Sequence, residues 1–263
     1  MPRSFAVLIL WVASLHPLSA RTYQDVPELA KCFRAQGVVG TFVLFDVATD
    51  TMLVSDEARA KKRFTPASTF KIANSLIGLD AGAVKNVDEV LPYGGKPQRI
   101  KEWERDMGLR EAIKMSNVPI YQELARRIGI ERMREGVKRL GYGNMKIGSV
   151  VDRFWLDGPL AISAVEQTEF LHRLVKGSFP INPNAVRAVK EITLLEKTDA
   201  YELHGKTGWL FSPTTPQIGW WVGWIERENK VYPFALNIDM RSDADAVKRI
   251  PLGRNCLKAL GKL

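Results

Sequence analysis

The chain has 263 residues of ordinary globular composition, 46% hydrophobic and 25% charged, with a formal net charge of +9 at pH 7. That length suits one domain with an ample core, and two cysteines in a domain this size exclude a disulfide framework. The positive charge is spread along the chain rather than gathered into a stripe with exposed aromatics, which argues against nucleic-acid binding and favours the approach of small anions.

Residues 1–20 differ from the rest. Arg3 is followed by an apolar run from Phe5 to Val12 and then by Pro17-Leu18-Ser19-Ala20. This pattern predicts a signal peptide cleaved after Ala20, because it is too short for a membrane span. An uncleaved N-terminal anchor is the alternative. The mature chain, 21–263, is then expected to be a single catalytic domain exported to the periplasm. Cys32 and Cys256 either pair across the two ends of the chain or stay as thiols.

Pro27 to Ala35 reads as a short helix, Thr41 to Asp46 as a strand, and Met52 to Ser55 as its hairpin partner across Thr49-Asp50. Pro66-Ala67 leads into a helix with Ile72, Ala73, Leu76 and Leu79 at helical spacing. Residues 80–180 are expected to be mainly helical, broken at Gly94-Gly95, Gly141-Tyr142-Gly143 and Gly158-Pro159. Ser163 and Glu166 form a capping box ahead of the helix bearing Phe170, Leu171 and Leu174. Glu202–Phe211, Gln217–Glu226 and Val231–Met240 are rich in Trp, Val, Ile and Phe and predict an antiparallel meander. A helix with Leu252, Cys256, Leu257 and Leu260 closes the chain. Strands at both ends with helices between predict an α/β (α+β) fold, one sheet built from both termini and flanked by helices.

Among chemical motifs, zinc hydrolysis is disfavoured. Beyond the leader only His172 and His204 remain, in no ligating pattern. No serine sits in Gly-x-Ser-x-Gly, and phosphate-binding glycine loops are absent. Ser68-Thr69-Phe70-Lys71 is the one place where a lysine follows a serine by three residues. On a helix these two share a face. Ser68 would sit at the helix start, where the dipole favours negative charge. Lys71 lies in an apolar run, where desolvation disfavours its ammonium and leaves an amine able to act as a base. Alone, the pair describes a helix cap and a snorkelling lysine at least as well. Ser116-Asn117-Val118, in a loop before Pro119, says little by itself. Lys206-Thr207-Gly208 falls on the first meander strand, where it could hold a carboxylate beside a backbone open to close approach, or simply be an edge-strand lysine.

In this order the three elements resemble the penicillin-recognising serine enzymes. Tyr142-Gly143-Asn144, Phe154-Trp155-Leu156 and Arg249 bring the resemblance closer to the class D β-lactamases, over about residues 38–260. The resemblance implies a serine β-lactamase with the transpeptidase-like fold, without a metal, whose Lys71 is carboxylated by CO2 or bicarbonate to N6-carboxylysine. It implies that Phe70, Val118, Trp155 and Leu156 line the pocket of that group, with Trp155 donating its indole N–H. It also implies that Ser68 is the nucleophile, that the N–H groups of Ser68 and Trp209 form the oxyanion hole, and that Ser116 relays a proton with Lys206 nearby. The substrate carboxylate would lie against Lys206, Thr207, Gly208, Trp209 and Arg249. A β-lactam sensor domain, a D,D-peptidase of the same fold and a catalytically dead binder are the alternatives. The protein would act on small molecules, as a monomer or homodimer, without nucleic acid or lasting membrane association. Glu166, which could be mistaken for a deacylating base, belongs to the capping box.

Overall fold

The architecture is taken from a computed structural model, which describes residues 21–211 and 217–263. The leader reading falls on residues 1–20 and lies outside them. The strand-forming segments at both ends of the chain meet in one sheet. In chain order these are β1 (Thr22–Asp25), β2 (Gly40–Asp46), β3 (Thr51–Val54), β4 (Leu194–Lys197), β5 (Glu202–Leu210), β6 (Gln217–Arg227) and β7 (Lys230–Met240), arranged β1-β3-β2-β7-β6-β5-β4. β1 pairs parallel with β3, and the other neighbours are antiparallel. The hairpin and the three-stranded meander are as the sequence predicts. The short edge strands β1 and β4 are additions, since four residues carry almost no periodic signal.

β6 shows why the meander is so apolar. Its residues from Ile218 to Ile225 are all buried. Trp221 and Ile225 face one core, while Trp220, Val222 and Trp224 face the other. A strand covered on both faces alternates between two cores rather than between core and water. The first core lies under α1 (Pro27–Gln36), which contributes Leu29 and Phe33, and under the C-terminal helix, Arg249–Ala259, which contributes Leu252, Cys256 and Leu257. These two helices pack together and place Cys32 and Cys256 side by side as free thiols. The Cys256 thiol is pushed up by burial and by its neighbour Cys32.

The second core is filled by the helical middle of the chain: α2 (Glu57–Lys61), α3 (Lys71–Asp80), α4 (Leu109–Lys114), α5 (Val118–Ile128), α6 (Ile130–Leu140), α7 (Ala164–Lys176) and α8 (Pro183–Thr193). The capping box at the start of α7 is formed: Ser163 Oγ accepts from the Glu166 N–H and Glu166 returns the bond to the Ser163 N–H. Among the described residues, no helix is long and apolar enough to cross a membrane. The C-terminal helix is α9 below.

Candidate active site

Ser68 does not open an α-helix, as its sequence setting suggests. It sits in a single 3-10 turn, Ala67–Phe70, and α3 begins at Lys71. The consequence favours the pair, because residues i and i+3 eclipse in a 3-10 turn. Lys71 Nζ lies 2.7 Å from Ser68 Oγ and donates to it. Lys71 is fully buried (0% exposed). Burial, reinforced by the nearby Lys206 charge, pushes its amine well below the ordinary lysine range. The turn is held from below. Thr69 Oγ1 donates to the Pro66 carbonyl at 2.7 Å, and Gln167 of α7 donates to Thr69 Oγ1 at 2.9 Å. Ala67, just before Ser68, has φ 49°, a left-handed conformation that an L-residue adopts only under constraint. Neither Gln167 nor the Ala67 conformation leaves a motif in the sequence.

The surroundings of Lys71 are aromatic. Phe70 stacks on Trp155 with ring centroids 5.5 Å apart and meets Phe154 edge-on at 5.1 Å and Tyr142 at 5.4 Å. The Tyr121 ring lies 5.3 Å from Lys71 Nζ. Trp155 is fully buried, and its indole Nε1 has no hydrogen-bond partner among the described residues. A buried donor left unpaired is costly and points to a missing acceptor. Asn144 secures the loop that brings Trp155 in, since its side chain donates to the Pro159 carbonyl at 2.9 Å and accepts from the Ala161 N–H at 3.1 Å. Gly143 is required beside it: φ is +53°, and a Cβ there would stand 2.2 Å from the Ala161 carbonyl oxygen. Tyr142-Gly143-Asn144 thus acts as a brace for the Trp155 loop.

Ser116 has φ 57°, and Asn117 caps α5 by accepting from the Ile120 N–H at 3.1 Å. This places Val118 at the first turn of α5. Asn117 also donates to the Trp103 carbonyl, tying Ser116 to the segment before α4.

On the sheet side, β4 pairs with β5 only at Glu202–His204. From Gly205 onward that edge of β5 has no strand beside it among the described residues, and it packs against the 3-10 turn of Ser68 instead. Lys206 is therefore an interior lysine, not the exposed edge lysine its sequence allows: it is 6% exposed, and burial with the nearby Arg249 charge pushes it down to about 7. Its Nζ donates to the Thr207 carbonyl at 3.1 Å and to Thr207 Oγ1 at 3.3 Å. Gly208 makes room for the chain itself, because a Cβ there would lie 2.9 Å from the Pro66 carbonyl and 3.0 Å from Thr69. Arg249, at the start of α9, donates to the carbonyls of Ala246 at 2.7 Å and Gly208 at 2.5 Å.

Ser68, Ser116, Val118, Leu156, Thr207, Gly208, Trp209 and Arg249 line one cleft of about 640 Å³. Lys71 and Lys206 are buried and connect to it through Ser68 and Thr207. The sequence reading missed Arg99, Trp103 and Asp243, which complete the cleft from segments without regular periodicity. Glu166 lies outside it, with its carboxylate held by Arg63 Nε at 3.0 Å and by the cap. Among the described residues, no group of three or more His, Cys, Asp or Glu could hold a metal ion.

A family profile for penicillin-binding protein transpeptidase domains matches residues 40–258. β-Lactamase OXA-10 of Pseudomonas aeruginosa is 41% identical over 96% of this chain and 94% of its own. Among solved structures, the class D β-lactamase FUS-1 (OXA-85) of Fusobacterium nucleatum subsp. polymorphum superposes with a TM-score of 0.88 at 44% identity, covering 91% of this chain and 100% of that one. The class D enzyme YbXI from Nostoc superposes at 0.86 with 43% identity, over 89% and 99% of the two chains. With the transpeptidase-type fold, the buried Ser68–Lys71 pair and this degree of likeness, the chain belongs to the class D β-lactamase family.

Proposed function

We propose that the chain hydrolyses β-lactam antibiotics through an acyl-enzyme on Ser68, conferring resistance to them, and that Lys71 works as N6-carboxylysine. The observation that carries this reading is the fully buried Lys71 amine beside Ser68 Oγ. CO2 adds only to a neutral amine, and burial favours that form. An added carboxylate also needs a donor in a dry site, and the unpaired Trp155 Nε1 in the aromatic cage suits that need. When present, that carboxylate supplies the base for the Ser68 proton and later for the hydrolytic water.

The chain's own groups do the rest. Ser68 Oγ attacks the ring carbonyl, whose C–N bond then breaks. The N–H groups of Ser68 and Trp209 receive the oxyanion, a contribution often worth about 3 kcal/mol. Ser116 passes a proton to the departing ring nitrogen, with Lys206 as its neighbour. Thr207 and Arg249 hold the substrate carboxylate, with the Lys206 charge adding to the attraction. Val118 and Leu156 keep water from the Lys71 side. The leader-like first twenty residues support export to the periplasm of a single catalytic domain, 21–263, working as a monomer or homodimer with no stable membrane association.

The test is nitrocefin hydrolysis in CO2-depleted buffer with and without added bicarbonate. Sustained turnover that falls on depletion, most strongly at low pH, and returns with bicarbonate is the expected result. A single equivalent of product with no turnover would identify a sensor or peptidase and overturn the proposal.

A further inference from the structure

The cleft carries a second arginine whose chemistry the mechanism above does not use. The Arg99 guanidinium lies over the Phe211 ring, 4.0 Å from its centroid, and 5.5 Å from the Trp209 ring. Its counter-ion is Asp243, with N–O separation 3.6 Å, and both side chains are more than half exposed (53% and 70%). All four residues line the cleft. Arg249 is different: it is largely buried, and two backbone carbonyls already accept from it. Among the described residues, no group accepts a hydrogen bond from Arg99, and an ion pair at 3.6 Å leaves its N–H edge available. Stacking on an aromatic face fixes the plane of a guanidinium without using its donors, so less freedom is lost when a carboxylate arrives.

A β-lactam's ring carboxylate has its partners in Thr207 and Arg249. We propose that Arg99 forms a further subsite for a second carboxylate, one carried on the substrate's amide side chain, so that the enzyme favours dianionic β-lactams. This rests on reading the cleft as a β-lactam site. Asp243 competes for the same guanidinium and so limits the preference.

Benzylpenicillin and carbenicillin differ by one side-chain carboxylate. The measurement is the ratio of kcat/KM for carbenicillin over benzylpenicillin, taken on one preparation so that any loss of folded protein cancels. Arg99→Ala should lower the ratio about fivefold, mainly through the KM for carbenicillin, as expected for a partly exposed charge pair. Arg99→Lys should fall between, because a point charge replaces a two-pronged donor. Asp243→Asn should raise the ratio about twofold on the same scale. Salt near 1 M should bring the wild-type ratio toward that of Arg99→Ala. A ratio indifferent to Arg99, or one that drops in Asp243→Asn, overturns the subsite. No turnover of benzylpenicillin by the wild-type enzyme overturns the proposed function instead.

Discussion

The two walls of the cleft each bury a lysine, and they use it differently. On the helical wall Lys71 has Ser68 Oγ as its hydrogen-bond partner and aromatic rings around it. On the strand wall Lys206 has the Thr207 carbonyl and hydroxyl and a neighbouring arginine. Desolvation acts on both. Burial, with the Lys206 charge nearby, drives the Lys71 amine well down, which suits it to react as an amine. Lys206, pushed down to about 7 by burial and the nearby Arg249 charge, can carry a charge or pass a proton at neutral pH. The difference teaches that burial alone does not define a catalytic lysine. The two buried nitrogens differ in their partners, a serine hydroxyl for Lys71 and the Thr207 oxygens for Lys206.

The largest expected effect comes from removing Lys71, the proposed base. Lys71→Ala should lower nitrocefin turnover by at least about 10³-fold, with no recovery in bicarbonate. Undiminished turnover would make the two walls equivalent. Trp155→Phe keeps an aromatic ring against Phe70 and removes the indole N–H together with the five-membered ring that carries it. It should cost roughly tenfold in kcat, a loss that saturating bicarbonate largely reverses, and ¹³C-bicarbonate NMR should show a weaker lysine carbamate signal. Loss of activity without any bicarbonate response would mean that the indole N–H has no acceptor on Lys71.

The strand wall should respond in binding rather than chemistry. Arg249→Ala should raise KM about tenfold with a smaller change in kcat. The Lys206 ammonium persists below about 7 and is lost above it, so its share of carboxylate binding is present on the acid side and fades as pH rises. kcat/KM should therefore show an alkaline limb near that value, and Lys206→Arg should shift the limb upward because a guanidinium keeps its charge. The smallest effect is reserved for Glu166→Gln. It should leave nitrocefin turnover within about twofold while melting falls by a degree or two, through the weakened Arg63 pair and cap. A collapse of deacylation in that variant would move the hydrolytic base away from Lys71.

Much of this protein is determined by short stretches of sequence. The capping box of α7 needs only Ser163 and Glu166 three residues apart, and the meander follows from runs of Trp, Val and Ile broken by a tight turn. That turn is local too: Glu228 and Asn229 both adopt left-handed φ, 52° and 59°, which suits a two-residue hairpin loop between Arg227 and Lys230. Ser68 with Lys71, Ser116 with Val118, and Lys206 to Gly208 are likewise visible as patterns. Tertiary structure decided the rest, because burial and pairing depend on residues distant in the chain. β1 and β4 exist only through their partners. Gly208 is needed because Pro66 and Thr69 press against β5. Arg99 meets Phe211 and Asp243 across segments with no shared pattern. Above all, Ser-x-x-Lys becomes a buried, hydrogen-bonded pair because α5 and the Trp155 loop close over Lys71. An amine's protonation follows its surroundings, and no neighbour in sequence supplies those.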